Sequence, residues 1–251
     1  MSASEIQFSR SGRRAVDLVD ETYERLKVRI LYSEIAPGQH VTIDSVARAH
    51  NVSHTPVREA LARLEADGLL VKEANRGYSA SPLLTAAEFT DLFQFRLLIE
   101  PWCAAQAARQ VEGAEVDQLT REVELQEALL SNAETPFREL TESDNRLHQL
   151  IARMSRNEAT AKAFERTHAH MHLYRLYLAN IQVPAHGTDF VHELFHNYYS
   201  GGDSAVAVRE HRGIVDAIRA ADPVRAKRLM KDHIKRSQAS FAPVVRRVDP
   251  A

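Results

Sequence analysis

The stretch SHTPVREALARLEADGLL, residues 53–70, limits the fold more than any other part of the chain. Thr55 is expected to cap a helix with Pro56 at its first position, where the missing amide would be unpaired anyway. Val57, Ala60, Leu61 and Leu64 then form one apolar stripe, and Arg58, Glu59, Ala62 and Arg63 stay outside. Upstream, Thr42 opens a shorter helix carrying Ile43, Val46, Ala47 and Ala49, which ends near Asn51. Before it, residues 16–33 repeat apolar side chains at Val19, Tyr23, Leu26 and Ile30, until Ala36-Pro37-Gly38 stops them. After Gly68, residues 69–72 and 78–80 flank a turn at 73–77 and read as a hairpin. Two short helices followed by a hairpin predict a winged helix-turn-helix over 16–82, behind an N-terminal tail of residues 1–15.

Such a unit reads DNA by sending side chains from the start of its second helix to base edges, while the helix N-terminus faces phosphates. Ser53, His54, Thr55 and Arg58 stand at that end. Arg58 suits a bidentate contact with guanine, and Arg76 at the wing tip suits a minor groove or a phosphate. Winged helices also serve as protein-interaction modules, and charge leaves that alternative open. Residues 1–82 hold 11 Lys+Arg against 11 Asp+Glu, and the whole chain has a formal net charge of -2. Any polyanion site is therefore local rather than a global basic field.

Beyond Ser81-Pro82, Thr85 and Glu88 form a capping box that opens a long helix over about 86–110. Further helical patterns follow at about 113–131, 135–155, 158–181, 204–221 and 223–240, with no clear pattern over 182–203. Residues 83–245 are thus expected to form an antiparallel all-helical bundle, which makes the chain mainly α. A single cysteine, Cys103, excludes an intrachain disulfide framework. No apolar run approaches the roughly 18 residues of a membrane span, and a cytoplasmic location is expected. No dinucleotide-binding or P-loop glycine signature is present.

One motif points elsewhere. His192, Glu193 and His196 match H-E-x-x-H, which on a helix would put two imidazoles on one face beside a general base. That makes a metal-dependent hydrolase the competing reading, with Glu210 as a further ligand. Against it, the longer metzincin pattern needs glycine at 199 and histidine at 202, where this chain has Tyr199 and Gly202. Twelve histidines in the chain also make a chance pair at this spacing unremarkable, and the sequence around the motif lacks the strand signals of a peptidase sheet. An enzyme is not expected.

VSHTPVREALARLEADGLL resembles the DNA-binding segment of GntR-family regulators, whose usual form is close to VSRTPVREAL followed by L-E-x-x-G-L-V. The likeness extends through APGQHVTI and the wing ending Arg76-Gly77-Tyr78. It implies operator contacts by Ser53, His54, Thr55 and Arg58, with Arg76 and Gly77 at the wing. His54 departs from the arginine usual at its position. The later stretches DLFQFRLLIEPWCAAQAA, ESDNRLHQLIARMSRNEA and EHRGIVDAIRAADPVRAKRLMKDHI resemble the all-helical FCD effector domain of the FadR-like branch. That resemblance implies a transcription regulator, expected to be a repressor. It would bind a palindromic operator as a homodimer and respond to a small carboxylic acid.

By the same resemblance, a divalent metal, zinc first and nickel, iron or manganese next, would be bound by Asp144, His148, His211 and His233, a cluster that the competing hydrolase reading would use as an alternative to the His192 segment. The spacing makes independent sense. Asp144 and His148 lie one helical turn apart. His211 and His233 each lie 11 residues from Asp222, so a turn at Asp222-Pro223 would bring both to one level, roughly 16 Å from the turn at about 1.5 Å per residue. Arg96 is open to two readings: a salt bridge with Glu100 one turn on, or, by the resemblance, a bidentate partner for the effector carboxylate. Among His168, His170 and His172, only His168 and His172 are expected to share a face, so one of these lines the pocket or both sit on a solvated face.

Overall fold

A computed structural model describes residues 10–74, 76–130, 137–181 and 206–248, which divide between two compact units, Met1–Leu83 and Leu84–Ala251. The first contains α1 (Arg10–Leu31), β1 (His40–Val41), α2 (Ile43–His50), α3 (His54–Ala66), β2 (Leu70–Glu73) and β3 (Gly77–Ala80). Its sheet has the order β1-β3-β2, antiparallel throughout, with Val41 opposite Tyr78 and Val71 opposite Ser79. The two-residue β1 is too short to show alternation and goes unanticipated in the sequence. Helix α1 starts at Arg10, ahead of residue 16, because the arginines before Val16 carry no apolar period yet propagate a helix well.

The stripe of α3 is buried as its pattern requires. Val57, Ala60, Leu61 and Leu64 are all fully buried, and sealing each large aliphatic contributes about 1.5–3 kcal/mol. That outweighs the exposed ion pair of Arg63 with Asp20, since such pairs contribute about 0–1 kcal/mol. The Tyr23 hydroxyl donates to Asp67 at 2.6 Å and ties α1 to the end of α3. The start of α3 differs from expectation: Ser53 is the N-cap and His54 the first helical residue. Pro56 therefore occupies the third position, which tolerates it because none of the first four amides has an intrahelical partner. At the wing, Gly77 has φ +94, and an added Cβ would sit 3.4 Å from the Val41 carbonyl oxygen.

The described elements of the second unit are all helices: α4 (Ala86–Arg109), α5 (Gly113–Leu130), α6 (Phe137–Met154), α7 (Glu158–Arg166), α8 (Ala169–Ile181), α9 (Val206–Arg219) and α10 (Pro223–Val248). Thr85 and Glu88 make the expected capping box. Helix α4 packs along α10, and α5, α6, α8 and α9 close around them. Phe93, Leu119, Leu147, Ile214, Ile234 and Phe241 are fully buried at their junctions. The expected single helix over 158–181 is two, broken at Thr167 and at His168, whose φ is +46. Helix α10 runs past residue 240 because Phe241, Val244 and Val245 continue its buried stripe. Among the described residues, no helix is long and apolar enough to cross a membrane.

Candidate functional site

Asp144 and His148 project from adjacent turns of α6, both buried. The connection between α9 and α10 brings two more side chains to them. Ala221 turns the chain at φ +51, and the Asp222 carboxylate accepts from the Arg225 amide at 2.9 Å to cap α10. The two helices fold back, and the Nε2 atoms of His211 and His233 come within 3.3 Å of each other. Asp144 Oδ1 lies 3.3 Å from His148 Nε2 and 3.3 Å from His211 Nε2. One donor atom from each of Asp144, His148, His211 and His233 falls within 4.8 Å of all the others, with every residue buried.

The opposite ring nitrogens explain why the Nε2 atoms converge. His148 Nδ1 donates to Glu100 Oε2. His211 Nδ1 donates to Gln126 Oε1 at 2.7 Å, and His233 Nδ1 donates to Glu210 Oε2 at 2.9 Å. Each neutral imidazole carries one proton, so committing it to Nδ1 leaves the Nε2 lone pair facing the cluster. His148 Nε2 is buried and without a hydrogen-bond partner among the described residues. With His148 in its neutral form, three lone pairs and a carboxylate facing one another suit a divalent cation such as zinc, nickel, iron or manganese. The residues therefore fit a metal.

Charge follows the same plan in the metal-free protein. Burial raises the Asp144 carboxyl, but His170, His211 and His148 outweigh it and hold the group well below the usual carboxylate range. Glu100 is held low against burial by Arg96 and His148. His148 feels burial too, yet Glu100 and Asp144 push it up to about 9. Burial dominates at His211 and His233 and takes both down to about 3. Burial likewise holds His170 well below its usual value, so without metal one imidazolium, His148, and three neutral imidazoles surround Asp144.

Arg96 forms the salt bridge with Glu100 that the sequence spacing allows. It is fully buried, its Nε donates to Glu100 Oε1 at 2.6 Å, and it also reaches the cluster. Its Nη2 lies 3.2 Å from His170 Nε2. His170, rather than His168 or His172, is the member of its segment beside the cluster, with Nε2 3.5 Å from Asp144 Oδ1. His172 instead lines a separate cavity of about 440 Å³ with Leu92, Phe95 and Arg166. The break at Thr167–His168 restarts the helix and so shifts which residues of α8 face inward. Gln126 and Glu210 also escape sequence reading, although Gln126 carries a signal: it continues the buried stripe Val116, Leu119, Val123 of α5.

In the first unit, Ser53, His54, Thr55 and Arg58 are all exposed at the start of α3, and Arg76 is exposed at the wing beside Gly77. His54 Nε2 lies 3.1 Å from Asp44 Oδ1 on α2. His192, Glu193 and His196 lie outside the described residues.

The sequence profile of the FCD domain matches residues 91–236, and that of bacterial regulatory proteins of the gntR family matches residues 18–79. The HTH-type transcriptional regulator YdhC of Bacillus subtilis is 24% identical over 211 residues, 84% of this chain and 85% of its own. The HTH-type transcriptional repressor NanR of an Enterobacter species is 25% identical over 249 residues, 91% of this chain and 86% of its own. Among solved structures, Escherichia coli McbR/YncC superposes with a TM-score of 0.66 at 15% identity, covering 92% of this chain and 99% of its own. That likeness is one of fold. FCD domains often bind metal, and nothing in these comparisons supports a hydrolase.

Proposed function

The chain belongs to the GntR family of bacterial regulatory proteins, with an FCD domain behind its winged helix, and from that premise we propose that it senses a small organic acid at a metal ion. GntR regulators bind operator DNA through the winged helix and small effectors through the FCD domain. In this reading residues 16–82 bind DNA, and residues 83–245 bind the effector and dimerise. Asp144, His148, His211 and His233 hold the ion, zinc first among the candidates. The observation that carries it is the inward convergence of three Nε2 lone pairs on Asp144, fixed from outside by Glu100, Gln126 and Glu210.

When bound, a metal would supply a Lewis-acidic position for one oxygen of the acid. The chain's own residues do the rest. Arg96 offers a planar, permanently charged fork for the other carboxylate oxygen, and Glu100 holds that fork in place. The apolar packing of α4 against α10 excludes bulk water, which strengthens each of these contacts.

At the other end, Ser53, His54, Thr55 and Arg58 read base edges and phosphates, with Arg76 and Gly77 at the wing. One such helix covers a half-site, so a two-fold homodimer on a palindromic operator completes the interface. Regulation needs only that the acid bind one arrangement of the protein better than the other. A coupling of about 1–3 kcal/mol gives the usual allosteric range. With NanR, a repressor, among its relatives, a cytoplasmic repressor released from DNA by its acid is the form this reading takes.

Elemental analysis of the purified protein and of His233→Ala tests the proposal. The parent should carry about one equivalent of metal per chain and the variant should lose it, because removing one of four ligands opens the site. Operator binding should persist in the variant while its response to acids fails. A variant that keeps a full equivalent of metal would place the ion elsewhere.

A further inference from the structure

His170 is absent from the ligand set just proposed, yet it occupies the most consequential position beside it. It is buried, 2% exposed, with its ring 4.6 Å from that of His148, centroid to centroid. Its Nε2 stands between two groups, 3.2 Å from Arg96 Nη2 and 3.5 Å from Asp144 Oδ1. A guanidinium only donates, so the lone pair on that nitrogen accepts from Arg96. His170 Nδ1, at the far side of the ring, has no hydrogen-bond partner among the described residues. Hydrogen bonding therefore holds the imidazole at this end alone.

Arg96 Nη2 belongs to both two-pronged edges of the guanidinium. The edge it shares with Nε is already taken, Nε by Glu100 and Nη2 by His170. A carboxylate that reached from Arg96 to the cluster around Asp144 would have to enter the gap that His170 Nε2 now spans. We propose that His170 is the built-in occupant of the effector position, and that a carboxylate effector binds by displacing it from Arg96. The exchange favours the acid, because a carboxylate brings a full negative charge to the guanidinium, whereas the imidazole offers it only a neutral acceptor. It also defines the ligand class: an anionic carboxylate can displace the imidazole, whereas a neutral amide of the same shape has little advantage over it.

This inference rests on the reading of Arg96 as the effector's partner, and the experiment separates the two. Full-length protein is loaded with Co(II), and acetate is titrated while the cobalt d–d bands are followed, with acetamide as the neutral isostere. His170→Ala and His170→Asn both shorten the side chain so that it no longer spans the gap. A position that its occupant fills 90–99% of the time binds about 10- to 100-fold more weakly than an open one. Either variant should accordingly bind acetate at least about tenfold more tightly than the parent, with no matching gain for acetamide. Equal or weaker acetate binding in the variants would overturn the inference, as would an equal gain for acetamide, which marks a mere void. Failure of the parent to take up Co(II), or undiminished acetate binding in Arg96→Ala, would instead overturn the reading on which it rests.

Discussion

Gln126 offers the sharpest test of how the cluster is held. Its Oε1 accepts from His211 Nδ1 at 2.7 Å, while its Nε2 is buried without a partner among the described residues. Replacing it by leucine keeps the approximate volume and removes both polar atoms. In the metal-free protein two effects then oppose each other. Stranding the Nδ1 proton costs about 1–3 kcal/mol, and deleting the unpartnered amide donor relieves a penalty of the same size. The ring also has an escape, since its proton can move to Nε2 and face Asp144 at 3.3 Å. Metal-free stability should change by no more than about 1 kcal/mol. Metal binding has no such escape, because a proton on Nε2 occupies the lone pair that a cation needs. Loss of an outer partner of a ligating histidine typically weakens metal binding 10- to 100-fold, or about 1.4–2.7 kcal/mol. Competition against a chromophoric chelator measures the affinity, and denaturant unfolding in EDTA measures the stability. If Gln126→Leu keeps its metal affinity within twofold, the outer hydrogen bonds do not set the ring orientation and the reasoning fails.

Two further outcomes follow from the site and the helix. In EDTA, His148, raised from 6.5 to about 9, confers stability that is whole below pH 6.5 and is lost as pH rises through about 9. His211 and His233, lowered to about 3, confer stability that is whole above pH 6.5 and is lost as pH falls toward 3. Metal-free unfolding midpoints should therefore peak near pH 6.5, and a midpoint still rising from pH 6.5 to 9 would contradict the His148 assignment. Arg58→Ala should cost roughly 1–3 kcal/mol on an operator selected from random DNA and relax sequence preference. Equal affinity and equal selected sequences from variant and parent would remove α3 as the reader.

Much of this was legible in the sequence, for identifiable reasons. Local periodicity governs α3, so Val57, Ala60, Leu61 and Leu64 could be placed inside before any tertiary information. The equal spacing of His211 and His233 about Asp222 has geometric force because a capped turn between two helices conserves level. What escaped depended on non-local pairing or on a break in phase. Glu100 and His148 are 48 residues apart and Gln126 and His211 are 85 apart, and no local pattern links them. The indirect signal was a polar side chain on an otherwise apolar stripe, which a core accepts only with a partner. His170 escapes because the helical pattern over 158–181 runs unbroken through Thr167 and His168, where a left-handed residue restarts the helix.

The three imidazoles are anchored unequally, and this bears on how fast an ion could come and go. His148 leans on Glu100, itself clamped by the fully buried Arg96, and His211 leans on a buried amide. His233 leans on Glu210, whose other oxygen meets Arg236 at 2.6 Å, and the Arg236 side chain is 54% exposed. Salt screens the exposed contact and leaves the buried ones nearly untouched. Release of a bound cation should begin at His233 and quicken with ionic strength, while its residence on the other three donors remains set by the interior. Occupancy in the cell would then be governed by one hinge-like arm at the surface, with the equilibrium preference for a given metal fixed separately by the donors within.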